Sequence, residues 1–265
     1  MDITGQTRIC AIVADPVQQV KAPQLINAWV AKKCVDTVLV PMQVSSADLA
    51  SWAQAMKGLK NLDGFIATVP HKIAMRGLCD EVSAAAAMVG AVNIVRRDPD
   101  GRLIGHILDG EGFVAGLRRS EIDPEGKRVM LCGAGGAANA IAFSLASAGV
   151  AELAIYNRTT AKAQELIDRL KPIYPSVDLT IATDSPVGFD LIVNATSLGM
   201  SETDPLPFRA YQLVAKQIVA EIIMKPALTP VLAVAQEKGC TVQFGLPMLE
   251  CQIDLMADFM RLGQR

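Results

Sequence analysis

The sequence predicts an α/β protein with two domains. Apolar runs of strand type alternate with helical patterns along almost the whole chain, and this alternation predicts parallel sheet with helices packed on its faces. The length of 265 residues suits one large or two ordinary domains, because single cores stop growing near about 250 residues. A hydrophobic content of 51% with a net charge of −2 excludes intrinsic disorder.

The first half of the chain is predicted to alternate strands and helices and then form a hairpin. The hairpin turn is Asp98-Pro99-Asp100-Gly101, because Asp-Gly between apolar runs is a strong turn signal. The predicted elements are strands over 8–14, 36–44 and 63–69, helices over 22–33, from residue 49, over 73–78 and over 81–89, and hairpin strands over 91–96 and 103–107.

A second alternating series begins at residue 127, after the polar stretch 120–127, whose change in composition makes it the best candidate for a domain boundary. A helix over 111–119 is predicted before this series. The elements of the series are strands over 128–132, 152–156, 178–182, 190–195 and 218–224, and helices over 136–148, 160–170 and 230–238, followed by a final helix over 247–262.

Composition excludes several classes of function. With 25 basic and 27 acidic side chains, the chain lacks the basic surface of a general nucleic-acid binder. No signal peptide is visible, and the longest apolar stretch, 82–95, is shorter than the roughly 18 residues of a membrane helix. We expect a cytoplasmic protein that contacts neither membrane nor nucleic acid. Six scattered cysteines predict buried reduced thiols, and two histidines give no basis for a metal site.

A glycine-rich loop between a buried strand and a helix predicts a dinucleotide site. Backbone N–H groups and the helix N-terminus can meet a pyrophosphate there, although many strand–helix turns use glycine for geometry alone. Placement at the start of a βαβ unit favours the dinucleotide and a Rossmann-type domain. The loop consists of Gly133, Ala134, Gly135, Gly136 and Ala137.

The end of the following strand discriminates between NAD and NADP. An acidic residue there would bind the ribose 2′-hydroxyl of NAD, but this chain has Asn157, Arg158 and Thr159. The Arg158 guanidinium suits a 2′-phosphate or stacking on adenine, and the Thr159 hydroxyl is a donor. The alternative is a solvated arginine with Thr159 capping the next helix. We predict NADP as the cofactor.

Two ionisable residues follow strands of the first half. Lys72 lies just beyond the strand over 63–69, where open α/β sheets place ligands, and Asp109 lies in a glycine-rich turn after the hairpin. A lone surface lysine or an Asp-Gly turn is common in proteins without catalytic meaning.

Several segments in order resemble the shikimate dehydrogenase family over nearly the whole chain. Thr68 to Lys72 resembles its T-x-P-x-K segment, Gly90 to Asn93 its G-A-V-N segment, and Asp109 to Phe113 its D-G-x-G-F segment. The glycine-rich loop and the stretch from Asn157 to Thr159 resemble its NADP half.

The resemblance implies an NADP-dependent oxidoreductase that acts on shikimate or a related cyclohexene carboxylate, in the biosynthesis of aromatic amino acids. We expect the enzyme to be a monomer or a homodimer. The substrate-binding domain would cover 1–104 with the terminal helix 246–265 packing back, and the NADP domain 105–245. Lys72 and Asp109 would form the catalytic pair beside the nicotinamide, with either residue as the base. The resemblance further assigns Thr68, Asn93 and Gln252 to the substrate, and Thr196 and Gly245 to the cofactor.

The chain departs from the family at the substrate carboxylate. Val20 and Ala22 occupy the positions where the family has a pair of serines, and Gln18, Gln19 or Lys21 could supply substitute contacts. The D-x-x-Y segment of the family begins here at Glu221 and ends at Met224. These departures leave open a shifted substrate, or a binding protein that senses NADP without catalysing a reaction.

Overall fold

The computed structural model describes residues 2–201 and 203–264. The chain forms two compact units, of which the first ends at Leu108 and includes the terminal stretch from Gln252. The second unit is Asp109–Cys251. The expected division at 104/105 therefore falls four residues early, and the polar stretch 120–127 lies inside the second unit.

The strands are β1 (Arg8–Ala14), β2 (Thr37–Gln43), β3 (Leu62–Ala67), β4 (Glu81–Val82), β5 (Ile94–Arg97), β6 (Leu103–His106), β7 (Arg128–Cys132), β8 (Glu152–Tyr156), β9 (Asp178–Ile181), β10 (Leu191–Asn194), β11 (Ile218–Glu221) and β12 (Thr241–Gln243). The helices are α1 (Ala22–Lys33), α2 (Leu49–Gly58), α3 (Lys72–Arg76), α4 (Ala84–Val89), α5 (Asp109–Arg119), α6 (Gly136–Ser147), α7 (Thr160–Leu170), α8 (Pro230–Glu237), α9 (Leu246–Glu250) and α10 (Ile253–Met260). A short 3-10 helix covers Ala210–Gln212.

The sheet of the first unit has the strand order β2-β1-β3-β5-β6-β4. Strand β1 pairs in parallel with β2 and β3, whereas β5 runs antiparallel to β3 and to β6 in the predicted hairpin. The carboxyl ends of β1, β2 and β3 therefore lie at one edge of the sheet, which is the edge where α/β sheets bind ligands.

The sheet of the second unit is parallel throughout, with the strand order β12-β11-β10-β7-β8-β9. The chain builds outward from β7 through β8 to β9, and then from β10 to β12 on the other side. A topological switch point therefore lies between β7 and β10, where doubly wound sheets bind dinucleotides. The predicted α/β class with a Rossmann-type second domain is confirmed.

The structure differs from the prediction at three places. Residues 81 and 82 were expected to begin a helix but form β4, which pairs with β6, and the helix starts only after Ser83 accepts a hydrogen bond from the N–H of Ala86. Strand β12 was not predicted, because it is short and depends on pairing with β11. The expected terminal helix over 247–262 is broken at Cys251 and Gln252 into α9 and α10, which belong to different units.

In the described part of the chain, no helix is long and apolar enough to cross a membrane. No group of His, Cys, Asp and Glu side chains among the described residues could hold a metal ion. The six cysteines are unpaired, and burial raises the pKa of the Cys10 and Cys132 thiols. Cys34 is exposed, so the expected burial is wrong there. This residue follows the last residue of α1 and has a left-handed backbone conformation with φ 55°.

Gly110, the second residue of α5, allows α5 to approach α6 closely. A Cβ atom at this position would lie 2.2 Å from the carbonyl oxygen of Ala140 and 2.2 Å from Oγ of Ser144. Only glycine therefore fits, and the segment that begins at Asp109 is fixed against the second unit by packing as well as by its sequence pattern.

We expect Gly110→Ala to lower the free energy of unfolding by about 2–3 kcal/mol, because the added methyl forces α5 away from α6. Urea denaturation measures this change. Gly58→Ala is the control, because a Cβ at the end of α2 meets nothing within 4 Å. Its unfolding free energy should stay within about 1 kcal/mol of wild type, and an equal loss in both variants would contradict the packing argument.

Candidate active site

The glycine-rich loop after β7 has the geometry of a dinucleotide cradle. Gly133 has a φ of +117°, and a Cβ there would lie 2.8 Å from the carbonyl oxygen of Ala195 at the end of β10. Gly135 precedes the first residue of α6 and places no side chain on the N–H groups of its first turn. These N–H groups and the helix dipole suit a pyrophosphate, so the loop fits the dinucleotide part of NADP.

The segment after β8 carries a guanidinium, that of Arg158, which is available to bind a phosphate. Arg158 is exposed and pairs with no carboxylate in the part of the chain that the structure describes. The amide of Asn157 donates a hydrogen bond to the carbonyl of Thr159 (2.9 Å), which closes the turn into α7. Thr159 precedes the first residue of α7 but its side chain makes no hydrogen bond to the helix, so the capping part of the alternative is wrong, whereas the exposed Arg158 fits both interpretations.

The carboxyl ends of β10 and β11 are joined by a buried hydrogen-bond network. Nδ2 of Asn194 donates to Oε1 of Glu221 (2.6 Å), and the Thr229 hydroxyl donates to the other carboxylate oxygen. Oδ1 of Asn194 accepts from the backbone N–H (3.1 Å) and the hydroxyl (2.7 Å) of Thr196. The Thr196 hydroxyl also accepts from the N–H of Leu198 (3.0 Å), so this side chain shapes the turn after β10.

Gly245, which the resemblance assigns to the cofactor, has a packing reason to be glycine. A Cβ there would lie 2.4 Å from the carbonyl oxygen of Ile223. The start of α9 therefore lies against the backbone that follows β11.

In the first unit, the segment from Thr68 to Lys72 turns from the end of β3 into α3. The N–H of His71 donates to the Thr68 carbonyl (2.7 Å), and the buried His71 ring bonds through Nε2 to the carbonyl of Val44 (2.9 Å). Lys72 is half-buried, and its carbonyl accepts from the N–H of Val92 (2.9 Å). The backbone that carries Lys72 is therefore anchored on both sides.

Asn93 and Gln252 are brought together although they are far apart in sequence. Nδ2 of Asn93 lies 3.3 Å from Oε1 of Gln252, and Oδ1 of Asn93 accepts from the N–H of Leu108 (2.9 Å). Both amides are almost completely buried, at 1% and 2% exposure. Asp109, which follows Leu108 in the chain, begins the second unit and is also buried. That Lys72 and Asp109 meet stays a prediction.

The side chains of Val20 and Ala22 provide no polar group at the start of α1. Ala22 is a core residue with 3% exposure, and Val20 is half-buried. The amide of Gln18 donates to Gln43 (3.3 Å) and that of Gln19 to the carbonyl of Pro16 (2.6 Å).

Lys21 precedes the first residue of α1 and lies between those two apolar positions. Among the residues that the structure describes, no carboxylate pairs with the Lys21 ammonium. The amides of Gln18 and Gln19 already have hydrogen-bond partners, whereas the Lys21 ammonium is available to bind a substrate carboxylate.

Comparisons with known proteins agree with both halves of the chain. The family model of the shikimate dehydrogenase substrate-binding domain matches residues 12–95, and the shikimate/quinate 5-dehydrogenase model matches residues 117–201. A shikimate dehydrogenase (NADP(+)) of Lysinibacillus sphaericus is 38% identical over 90% of this chain and 86% of its own length. The chain belongs to the shikimate dehydrogenase family.

Other known proteins match the chain at similar levels. The chain is 36% identical to a shikimate dehydrogenase (NADP(+)) of Geobacter metallireducens, over 95% of this chain and 90% of the relative. Among solved structures, a 5-ketofructose reductase of Gluconobacter is 31% identical, with a TM-score of 0.83 and coverage of 97% and 94%. A shikimate dehydrogenase in complex with NADP+ is 28% identical, with a TM-score of 0.88 and coverage of 98% and 91%.

Sequence reasoning missed the buried acid of this family member. Glu221 was noted only as a departure from the D-x-x-Y segment, whereas the structure places its carboxylate at the centre of the network between β10 and β11. Desolvation raises the pKa of Glu221 to about 7, against the hydrogen bonds from Thr229 and Asn194, which lower it. The side chain has 0% exposure, which explains why desolvation dominates.

This pKa predicts a pH-dependent stability. Between pH 4.5 and 7 the unfolded chain ionises Glu221 while the folded chain keeps its proton, so stability falls as the pH rises through this window. Glu221→Gln removes the titration and keeps an acceptor for Asn194. The free energy of unfolding of this variant, relative to that of wild type, should be higher at pH 8 than at pH 5 by on the order of 3 kcal/mol.

Urea denaturation at the two pH values measures this gain. Glu237→Gln, which changes an exposed carboxylate at the end of the neighbouring helix α8, is the matched control and should leave the pH dependence unchanged. A Glu221→Gln variant whose stability follows the same pH curve as wild type would show that Glu221 does not titrate in this range.

Proposed function

We propose that the protein is an NADP-dependent dehydrogenase that interconverts shikimate and 3-dehydroshikimate, or a closely related cyclohexene carboxylate. The observation that carries the proposal is a dinucleotide cradle followed by Arg158, which has no ion pair among the described residues. In the other unit, the buried amides of Asn93 and Gln252 lie in contact. Curated relatives named shikimate dehydrogenase (NADP(+)) support the same reaction.

In this proposal NADP is held by the second unit. The N–H groups at the start of α6 would bind its pyrophosphate, and the Arg158 guanidinium would bind the 2′-phosphate. When bound, NADP accepts the hydride that leaves the ring carbon of the alcohol.

The proton of the reacting hydroxyl is handled by Lys72 and Asp109. Oxidation of a secondary alcohol releases a proton from oxygen, and an amine or a carboxylate within hydrogen-bond reach can take it. A lysine ammonium also stabilises negative charge on the alcohol oxygen as the C–H bond breaks. Pairing an ammonium with a carboxylate keeps the site close to neutral, which limits the cost of burying either charge.

The remaining polar groups of the first unit orient the substrate. Thr68, Asn93 and Gln252 carry hydroxyl and amide groups that suit the ring hydroxyls, and the buried Asn93–Gln252 contact fixes both amides in place. We assign the substrate carboxylate to Lys21, because its ammonium has no ion pair among the described residues and adjoins the N-terminus of α1.

A second candidate substrate is a neutral polyhydroxylated ketone. The similar Gluconobacter protein is named a 5-ketofructose reductase, and the apolar Val20 and the core residue Ala22 place no hydroxyl near the start of α1. Such a substrate needs no carboxylate anchor. The sensing alternative is not favoured, because the relatives of similar length are named as enzymes.

We propose further that the enzyme acts in the cytoplasm as a monomer or homodimer. Six unpaired cysteines, one of them exposed, support a reducing compartment. Size-exclusion chromatography with light scattering tests the oligomeric state.

The test of the reaction is reduction of NADP by purified protein with shikimate, quinate and neutral polyols. We expect turnover with shikimate, and a fall in kcat of at least about 10²-fold in Lys72→Met and in Asp109→Asn, since each removes a proton-handling group. Lys60→Met is the control, because this exposed lysine lies at the opposite end of β3. Wild-type protein that reduces NADP with none of these substrates would refute the proposal.

Lys21→Met separates the two substrate classes. With a carboxylate substrate we expect KM to rise about tenfold with kcat nearly unchanged, because the lost ion pair contributes to binding in the ground state and the transition state alike. With a neutral ketone, KM should stay within about twofold. Lys32→Met, which removes a lysine from the last turn of the same helix, is the matched control. An unchanged KM for shikimate would contradict the assignment of its carboxylate to Lys21.

A further inference from the structure

The turn after β10, residues 195–199, borders the glycine-rich loop at the switch point; we name it the β10 turn. The N–H of Ala195 donates to the carbonyl of Cys132 (2.9 Å), and the carbonyl oxygen of Ala195 lies 2.8 Å from the position that a Cβ on Gly133 would take. The two loops therefore flank the crevice in which doubly wound sheets bind dinucleotides.

The orientation of the dinucleotide in that crevice follows from the sheet order. Arg158 lies after β8, on one side of β7, and the pyrophosphate site lies at the start of α6, directly after β7. With the 2′-phosphate on the β8 side, the other half of the molecule extends across the switch point toward β10. The β10 turn is thus the surface on which the nicotinamide nucleotide would lie.

The shape of the β10 turn depends on one side chain. Asn194 binds the N–H and hydroxyl of Thr196 through Oδ1, and the carbonyl of Leu198 through Nδ2 (3.1 Å). The turn folds around this amide, so a rotation of the amide would displace all three groups together.

Asn194 is in turn fixed by Glu221. Its Nδ2 donates to one carboxylate oxygen, and Thr229 donates to the other, so the carboxylate cannot rotate without losing a bond. All three side chains have 0% exposure, and a buried carboxylate is retained only where both oxygens are satisfied.

We propose that Glu221 is a positioning residue for the nicotinamide half of NADP, and that it acts by fixing Asn194 and hence the β10 turn. This inference rests on the proposed function only in taking NADP as the ligand. It assigns to Glu221 no contact with the cofactor and no part in proton transfer.

The test compares two ligands that share the adenosine half. Binding of NADPH and of 2′,5′-ADP, which lacks the nicotinamide nucleotide, is measured by fluorescence and calorimetry. For Glu221→Leu we expect the Kd of NADPH to rise at least tenfold while the Kd of 2′,5′-ADP stays within twofold. Glu221→Gln keeps an oxygen that accepts from Asn194, so its Kd for NADPH should stay within about threefold of wild type.

Two variants serve as controls. Gln217→Leu removes a buried polar group at the amino end of the same strand, where it bonds to the carbonyls of Pro186 and Phe189. It should lose stability but bind both ligands as wild type does. Arg158→Ala should weaken NADPH and 2′,5′-ADP together, because it acts on the half that they share.

The inference is overturned if Glu221→Leu weakens both ligands equally or neither. If this variant does not fold, Thr229→Val is measured instead. A Kd that rises threefold or more for NADPH but not for 2′,5′-ADP supports the inference. Kd values equal to those of wild type for both ligands refute it. Wild-type protein that binds neither ligand would refute the proposed function and the inference with it. Wild-type binding of both ligands, with no selective loss in the variants, would refute the inference alone.

Discussion

The close approach of Gly133 to the end of β10 is the constraint on which the nucleotide half depends. Gly133 has a positive φ and no side chain, so the loop after β7 can pass close to the backbone of Ala195 at the switch point. Any larger residue would move the loop, the start of α6 and the β10 turn together. The hydrogen bonds of Asn194, Glu221 and Thr229 hold the β10 turn from its buried side.

Much of the fold could be predicted because its signals are local. Strands β1, β7 and β8 and helices α1 and α7 have the expected limits, since apolar periodicity and the residues at their ends define them. Strands β4 and β12 could not be predicted, because two or three residues carry little pattern and their pairing partners are remote in sequence.

The candidate site divides in the same way. The glycine-rich loop and the residues after β8 are recognisable because the fold demands particular backbone conformations and one cation at fixed places. The contact between Asn93 and Gln252 joins residues 159 positions apart, and that between Asn194 and Glu221 joins residues 27 positions apart. Such contacts follow from the tertiary fold, so only the resemblance to a family could indicate the first, and nothing indicated the second.

The two halves of the chain therefore constrain function unequally. The nucleotide half relies on backbone N–H groups and glycine conformations, which few substitutions can change without disrupting the fold. The proposed substrate contacts are made by side chains instead, and Ala22, at a position where the family pattern has a serine, is a core residue with 3% exposure. The nucleotide site is consequently the part of this architecture that the backbone fixes, whereas the proposed substrate anchor depends on a single side chain, Lys21, that can differ while the sheet beneath remains unaltered.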